Sequence, residues 1–116
     1  DNAAAPTALE DVCEDITVGY VGPMARQYRA TGVPFLRSQN VRPFRVTVEN
    51  LVYIDEAFHG TIAKSRLRRG DVVIVRTGYP GVAAVVPESL GDSNCSDLVI
   101  ARPGPRIDPH FLALFF

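Results

Sequence analysis

The sequence contains few of the residues on which thiol and metal chemistry depends. Among its 116 residues are two cysteines, Cys13 and Cys95, and two histidines, His59 and His110. Two cysteines are too few for a disulfide scaffold or a four-cysteine zinc site, so we expect no metal and a reduced, cytoplasmic setting. Because no apolar run approaches the roughly 18 residues of a membrane span, we also expect a soluble protein with no membrane partner.

Sequence motifs of catalysis are also missing. The chain has no GxSxG elbow, no HExxH, no GxxxxGK[ST] phosphate loop and no GxGxxG after a strand. A nucleophilic Cys95 served by His59 or His110 stays open, because such partners are adjacent only in space. We therefore expect no enzyme and keep a small cysteine hydrolase as a minor hypothesis.

The length fits one domain with one core. We assign residues 1–8 to a linker or to residues added to the natural chain, and residues 9–116 to a single domain. Asp108 and Pro109 form a good N-cap and N1 pair for a last helix, HFLALFF, which is apolar nearly all round. We expect the natural protein, or a partner, to continue beyond Phe116.

Basic and acidic residues are segregated along the chain, although the net charge is only −1. Residues 16–48 contain five arginines and no acid, and residues 59–86 contain five basic residues against Asp71 alone. Eleven of the twelve basic residues are arginine, which suits bidentate contacts with phosphate and guanine. The pattern predicts a basic and an acidic face, and an ordinary solvated surface remains the alternative.

The stretch from Ser65 to Pro87 predicts a central β-hairpin. Its runs VVIV and VAAVV are continuously apolar, as in strands that are covered on both faces. Gly70 and Asp71 predict the turn into the first run, since glycine admits positive φ and Asp can hydrogen-bond nearby backbone. The turn between the runs carries Arg76, Thr77 and Tyr79, which we interpret as a binding tip.

Other elements follow from local patterns. ALEDVCED predicts a short helix that ends by Thr17, with Cys13 on its apolar face. VPFLRSQNV predicts a strand beginning at Pro34, and Asp55 predicts the N-cap of a helix over EAFHGTIAKS. The polar tracts Arg37–Asn40 and Asn94–Asp97 lie at predicted strand ends; the first carries groups able to read bases, and a polar strand end is the other interpretation.

Four segments in order resemble the target recognition domain of bacterial type I restriction-modification specificity subunits. They are GVPFLRSQNVRPF, LVYIDEAFH, SRLRRGDVVIVRTGYPGVAAVVPE and NCSDLVIARPGPRIDPHFLALFF. The most specific piece is Arg66-Leu67, then Gly70-Asp71, an apolar run, Arg76-Thr77-Gly78 and Gly81. Gly19-Tyr20-Val21-Gly22 also resembles a tract found in part of that family. The resemblance as a whole covers the chain from about Leu9 to the end.

The resemblance implies an α/β (α+β) fold with a twisted, mainly antiparallel sheet and short peripheral helices. It implies a module that reads one half of a split double-stranded DNA target and has no cofactor of its own. Methyltransferase (M) and restriction (R) subunits would supply adenine methylation with S-adenosylmethionine and ATP-driven cleavage. Carried over by position, DNA contacts would fall on Tyr20, Arg37, Gln39, Asn40, Arg76, Thr77, Tyr79, Asn94 and Ser96.

The chain departs from that family in extent, since a full specificity subunit carries two such domains and long helices that dock the M subunits. An excised domain, a half-length subunit that dimerises and a short homologue all remain open, with the second recognition domain in the same chain or in a dimer. The alternative function is a protein-interaction module that keeps the fold without DNA binding.

Overall fold

The computed structural model of the chain describes residues 13–76 and 81–103, and all structural statements below concern these residues. The strands are β1 Cys13–Val18, β2 Val33–Leu36, β3 Val41–Arg42, β4 Arg45–Val46, β5 Val52–Ile54, β6 Val72–Val75, β7 Ala83–Val85, β8 Asn94–Cys95 and β9 Leu98–Pro103. The α-helix, α1, spans Glu56–Thr61, and 3₁₀ turns occupy Ser38–Asn40, Ala63–Ser65 and Glu88–Leu90. Within the described ranges no helix has the length and apolar character needed to cross a membrane.

The predicted central hairpin is confirmed and lies in the larger sheet. That sheet has four strands in the order β1-β9-β6-β7, all paired antiparallel. All four residues of β6 are buried, as its apolar sequence predicts for a strand covered on both faces. Gly70 has a φ of 89°, and Asp71 Oδ2 accepts from the Arg68 amide at 2.9 Å, so the predicted turn chemistry is also present. Residues 77–80, which include the predicted tip residues Thr77 and Tyr79, lie outside the described residues.

The smaller sheet joins three strands in the order β5-β2-β8. β5 pairs with β2 antiparallel, whereas β8 pairs with β2 in parallel. The predicted strand over VPFLRSQNV is confirmed only in its first part: it begins one residue earlier, at Val33, and ends at Leu36, while Ser38–Asn40 form a 3₁₀ turn. The Asp55 cap is confirmed as well, since its Oδ1 accepts from the Phe58 amide at 2.7 Å. β3 and β4 form a separate two-stranded hairpin.

β2 connects two hydrophobic clusters because successive residues of a strand point to opposite faces. Leu36 packs in a cluster with residues of the larger sheet, among them Val73 and Ile100. Phe35 packs in the other cluster, with Ile54 and Ile62. Phe35 and Leu36 are both fully buried, so this short strand holds the two sheets together.

The predicted helix near the beginning of the described chain is wrong over residues 13–17. Cys13–Val18 form strand β1, which pairs antiparallel with β9 from Cys13 opposite Pro103 to Val18 opposite Val99. β1 is an edge strand in which Thr17 is buried while Ile16 and Val18 are partly exposed. Pairing with a strand about 80 residues away overrides the weak local helical spacing, because helix propensity is a small term beside sheet formation.

Arg102 holds one end of the larger sheet together. Its guanidinium lies 2.7 Å from Asp15 Oδ2 on β1 and 3.5 Å from Asp71 Oδ2 before β6, and it donates to the Arg66 carbonyl at 2.7 Å. Burial raises the pKa of Asp71, against the opposing effects of the Arg68 amide and of Arg102. Acidic and basic residues at this end are therefore largely paired with one another.

The fold class is mixed α/β with mainly antiparallel strands and few short helices, as predicted. The prediction of one sheet needs correction, since the described strands form sheets of four, three and two strands. The predicted last helix, HFLALFF, and the start of the chain lie outside the described residues.

Candidate nucleic-acid interface

Three polar strand ends meet at one end of the molecule. Parallel pairing of β2 with β8 brings their carboxyl ends together, and the Ser96 amide donates to the Leu36 carbonyl at 2.9 Å. Arg37, the residue after Leu36, therefore lies beside Ser96. Arg76 follows β6 at this same end, where its Nε lies 3.4 Å from Asp97 Oδ1. We call the surface formed by Arg37, Ser96, Asp97 and Arg76 the Arg76 end.

Tyr20 also reaches this surface, through its backbone. Its amide donates to the Cys95 carbonyl at 3.0 Å, and the residue forms an isolated parallel bridge with Ser96. The Tyr20 ring is half-buried and stands edge-on against the Phe58 ring, with centroids 5.4 Å apart. Tyr20 thus combines a packing role with partial access to solvent.

At the Arg76 end, Arg76 is exposed and Arg37 and Ser96 are half-buried; Gln39 is exposed in the 3₁₀ turn that follows Arg37. Arg37 is held in place, because its Nη2 donates to the Asn50 carbonyl at 2.7 Å and its guanidinium lies 5.7 Å from the Tyr28 ring centroid. A side chain fixed in this way loses little conformational freedom when it binds a ligand. The Arg76 end therefore offers two arginines at adjacent strand ends, and the 3₁₀ turn beside it offers one amide.

Asn40 is placed in the framework rather than on the surface. Its side chain is fully buried; Oδ1 accepts from the Arg37 amide at 3.0 Å, and Nδ2 donates to the carbonyls of Thr47 and Glu49. A DNA contact would require Asn40 to leave all three partners. We therefore revise its predicted role: Asn40 closes the 3₁₀ turn that presents Arg37 and Gln39.

Asn94 is likewise a buried framework residue. Its Oδ1 accepts from Ser65 Oγ at 2.6 Å and from the Cys95 amide at 2.9 Å, while Nδ2 donates to the Ile62 carbonyl at 3.0 Å. Nδ2 also lies 3.1 Å from Nδ1 of His59, a residue with no exposed surface. Asn94 thus joins β8 to α1 and to the 3₁₀ turn after it, and its predicted DNA contact is revised in the same way.

The sequence pattern did not identify His59 as a residue that stabilises the fold. The pattern places it beside the apolar stripe of α1, yet its ring is buried, with Nε2 3.1 Å from Asp92 Oδ2. Arg66 lies on the same carboxylate, with its Nε 3.2 Å from Asp92 Oδ1. The histidine anchors the helix to the loop before β8, and no local signal in the sequence indicates that contact.

The β3–β4 hairpin supplies surface groups that the sequence predictions did not select. Arg42 lies directly opposite Arg45, and Pro43 and Phe44 form the turn between them. Both arginines are exposed, and Phe44 is one of the few exposed large apolar side chains among the described residues. The Phe44 amide donates to the Ala83 carbonyl at 2.9 Å, which attaches the hairpin to β7. The sequence signal was RPFR, an exposed aromatic residue between basic residues at a proline turn.

Cys95 does not have the environment of a nucleophile. The side chain is fully buried, and burial raises the pKa of its thiol to about 12. A nucleophilic cysteine needs a lowered pKa and access to solvent. His59 directs its Nδ1 toward Asn94, so the hypothesis of a Cys95 and His59 pair is wrong; His110 lies outside the described residues.

We expect Cys95 to resist thiol reagents in the folded protein. In a Cys13→Ser variant, Cys95 is the only cysteine, and it should stay unmodified at pH 8 until urea unfolds the chain. The unfolded thiol ionises near its ordinary pKa of 9.0 while the folded one keeps its proton. Its contribution to stability is therefore present below pH 9 and is lost as the pH rises toward 12. Rapid stoichiometric modification under native conditions would contradict this description.

The chain resembles several solved structures, two of which are described here. The crystal structure of the HsdS subunit from Thermoanaerobacter tengcongensis aligns with a TM-score of 0.67 at 19% sequence identity, covering 94% of this chain and 26% of that one. A chain from a study of complex assembly and conformational transition of the type I R-M system aligns with a TM-score of 0.64 at 20% identity, covering 92% of this chain and 25% of that one. This chain thus spans about a quarter of the length of each. No family model and no curated protein sequence matches it. These alignments show that the chain has the fold of a segment of a type I restriction-modification HsdS subunit.

Proposed function

We propose that the chain is a non-catalytic recognition module that reads one half of a split double-stranded DNA target for a type I restriction-modification complex. The observation that carries this proposal is the alignment of 94% of the chain with part of an HsdS subunit. In this function the module contributes binding and orientation only. M and R subunits would carry out methylation and cleavage, with S-adenosylmethionine and ATP bound by them.

The chemistry of the Arg76 end supports DNA as the ligand. Arginine can donate two hydrogen bonds to guanine O6 and N7, and glutamine can pair with adenine N6 and N7 in the same way. Arg76, Arg37 and Gln39 provide these groups at neighbouring strand ends. Asp97, the acidic residue at this surface, forms an ion pair with Arg76 that a phosphate or base edge would have to replace. This exchange favours selective binding, because Arg76 gives up Asp97 only for a DNA group that binds it more strongly.

Arg69 provides a matched control for Arg76. Both are exposed and both form an ion pair, Arg69 with Glu88 at 3.2 Å and Arg76 with Asp97 at 3.4 Å. They lie at opposite ends of β6, because Arg69 precedes Val72 and Arg76 follows Val75. Replacing either by alanine removes one positive charge and one ion pair.

We expect Arg76→Ala to weaken binding to duplex DNA by about tenfold, within the range for an arginine that contacts a base, and Arg69→Ala to leave it nearly unchanged. The measurement is a fluorescence anisotropy titration of the chain with labelled duplexes of randomised sequence at several salt concentrations. Log K should fall linearly with log salt, since binding releases counterions. Enrichment of a preferred sequence from the randomised pool, reduced in the Arg76→Ala variant, tests base reading.

The protein-interaction alternative makes the opposite prediction. A module that keeps this fold without DNA binding would show no association at low salt, even at protein concentrations of about 10⁻⁴ M, where non-specific DNA binding is normally detected. Equal loss of affinity in Arg69→Ala and Arg76→Ala would reject the assignment of the interface to the Arg76 end.

A further inference from the structure

The β3–β4 hairpin carries a pair of like charges that folding does not explain. Arg42 and Arg45 are directly opposed across the two strands. Like charges in that position destabilise a strand pair. Within residues 13–76 and 81–103, no carboxylate forms an ion pair with either guanidinium. An anion bound between the two arginines would remove the repulsion.

Phe44, at the tip of this hairpin, is unusual in two respects. Its side chain is 61% exposed, and its backbone has a φ of 63°. A bulky residue rarely adopts a positive φ, and the position after proline in a turn of this kind normally holds glycine or asparagine. Phe44 therefore lowers the stability of the fold in two ways, through its unfavourable backbone conformation and through its exposed apolar ring. Strain of this kind concentrates at sites of function.

The hairpin lies on the same side of the molecule as the Arg76 end. Phe44 is hydrogen-bonded to Ala83, the first residue of β7, and Ala83 pairs with Ile74, two residues before Arg76. After β4 the chain returns to the 3₁₀ turn that follows Arg37, since the Thr47 amide donates to the Asn40 carbonyl at 2.8 Å. A nucleic acid several nucleotides long can therefore contact both the β3–β4 hairpin and the Arg76 end.

We propose that the tip Arg42–Arg45 is a second DNA-contacting element, in which Arg42 and Arg45 hold backbone phosphates and Phe44 packs against bases in the groove. This inference rests on the proposed function and extends it to residues outside the predicted site. Phosphates match the opposed guanidinium groups, and phenylalanine is one of the apolar side chains that DNA-binding proteins insert at base steps. Duplex DNA supplies both phosphates for the two arginines and base surfaces for Phe44.

Phe44→Gly separates binding from folding. Glycine is favoured at positive φ, so the variant should unfold at the same temperature as the wild type or at a higher one. Its DNA affinity should fall by about tenfold, as for loss of an aromatic contact with a base, with no change in the salt dependence. Arg42→Ala with Arg45→Ala should instead reduce the slope of log K against log salt by about two.

A fluorescent variant tests contact with bases directly. The chain contains four tyrosines but no tryptophan, so Phe44→Trp introduces a single tryptophan at the tip, whose emission can be excited apart from that of tyrosine. Duplex DNA should quench its emission, whereas heparin, a polyanion without bases, should not. Ser89→Trp is the control, because Ser89 is exposed in the 3₁₀ turn Glu88–Leu90, and Glu88 pairs with Arg69 at the end of β6 opposite to Arg76.

The outcomes distinguish this inference from the proposed function. If Arg76→Ala weakens DNA binding while Phe44→Gly and the Arg42 and Arg45 double variant bind as the wild type does, the hairpin proposal is overturned and the proposed function stands. Equal quenching of Phe44→Trp by heparin and by DNA overturns the packing of Phe44 against bases. Failure of the wild type to bind duplex DNA at low salt overturns the proposed function and this inference with it.

Discussion

Replacing Gly19 by alanine is expected to destabilise the fold by about 3 kcal/mol, at the upper end of the usual cost of overpacking. An added Cβ would overlap the Ser96 carbonyl oxygen and would lie 2.7 Å from Cys95 Sγ. Backbone atoms cannot move aside as a flexible side chain does. The Gly19 amide also donates to the Leu98 carbonyl at 2.7 Å, so the clash falls where β1 meets the segment between β8 and β9.

Urea unfolding followed by circular dichroism measures this loss, and Gly60→Ala is its control. Gly60 lies within α1, and nothing is within 4 Å of a Cβ added there. Alanine in a helix is favoured over glycine by about 0.5 to 1 kcal/mol, so this second variant should be stabilised. The same chemical change is thus expected to have opposite signs at the two sites. A Gly19→Ala variant as stable as the wild type would contradict the close approach at Ser96.

Replacing Asn94 by leucine is expected to destabilise the protein by about 3 to 5 kcal/mol, the range for breaking a buried polar network. Leucine is similar in size but can neither accept from the Cys95 amide nor donate to the Ile62 carbonyl. The Cys95 amide and His59 Nδ1 would lose their contact with Asn94 inside the core, whereas the Ile62 carbonyl would keep the Ser65 amide as a donor. An unsatisfied buried group costs more than the hydrogen bond contributes, because it loses water and gains nothing in return.

Gln39→Leu is the matched comparison, since it removes an exposed amide. Its stability should change by no more than about 0.5 kcal/mol, as is usual for surface substitutions. The two variants also distinguish a DNA-contacting residue from a residue that stabilises the fold. Gln39→Leu should alter DNA affinity while the protein stays folded, whereas Asn94→Leu should alter DNA affinity only by destabilising the fold. Equal and small changes in stability for both variants would mean that Asn94 is not held by the network described above.

Local chemistry was sufficient for the parts of the fold where neighbours in sequence interact. The apolar runs around β6 and β7, separated by a glycine-containing turn, predicted a hairpin that the structure contains. Asp55 predicted a helix start because its short carboxylate reaches the amide three residues later. Proline and the two large apolar residues after it predicted β2. Each of these predictions depends on interactions within a few residues.

Predictions that depended on distant partners were less successful. The apolar spacing of residues 9–16 is compatible with a helix, and pairing with β9 makes residues 13–18 a strand instead. Asn40 and Asn94 carry the right groups for adenine, yet in the structure they bind backbone and side-chain partners up to 35 residues away. An amide in a polar tract can serve a base or a buried carbonyl equally well, and the sequence contains no sign of which one surrounds it.

The sequence alone determined the class of fold, the central hairpin and the resemblance to a recognition domain, because apolar periodicity and turn residues act locally and in order along the chain. Only the tertiary structure decided which polar residues are accessible to a ligand at the surface. Parallel pairing of β2 with β8 placed Arg37 beside Ser96, and antiparallel pairing of β6 with β9 placed Arg76 beside Asp97. The same folding buried Asn40 and Asn94 and left Phe44 exposed, since burial depends on the partner that each strand meets.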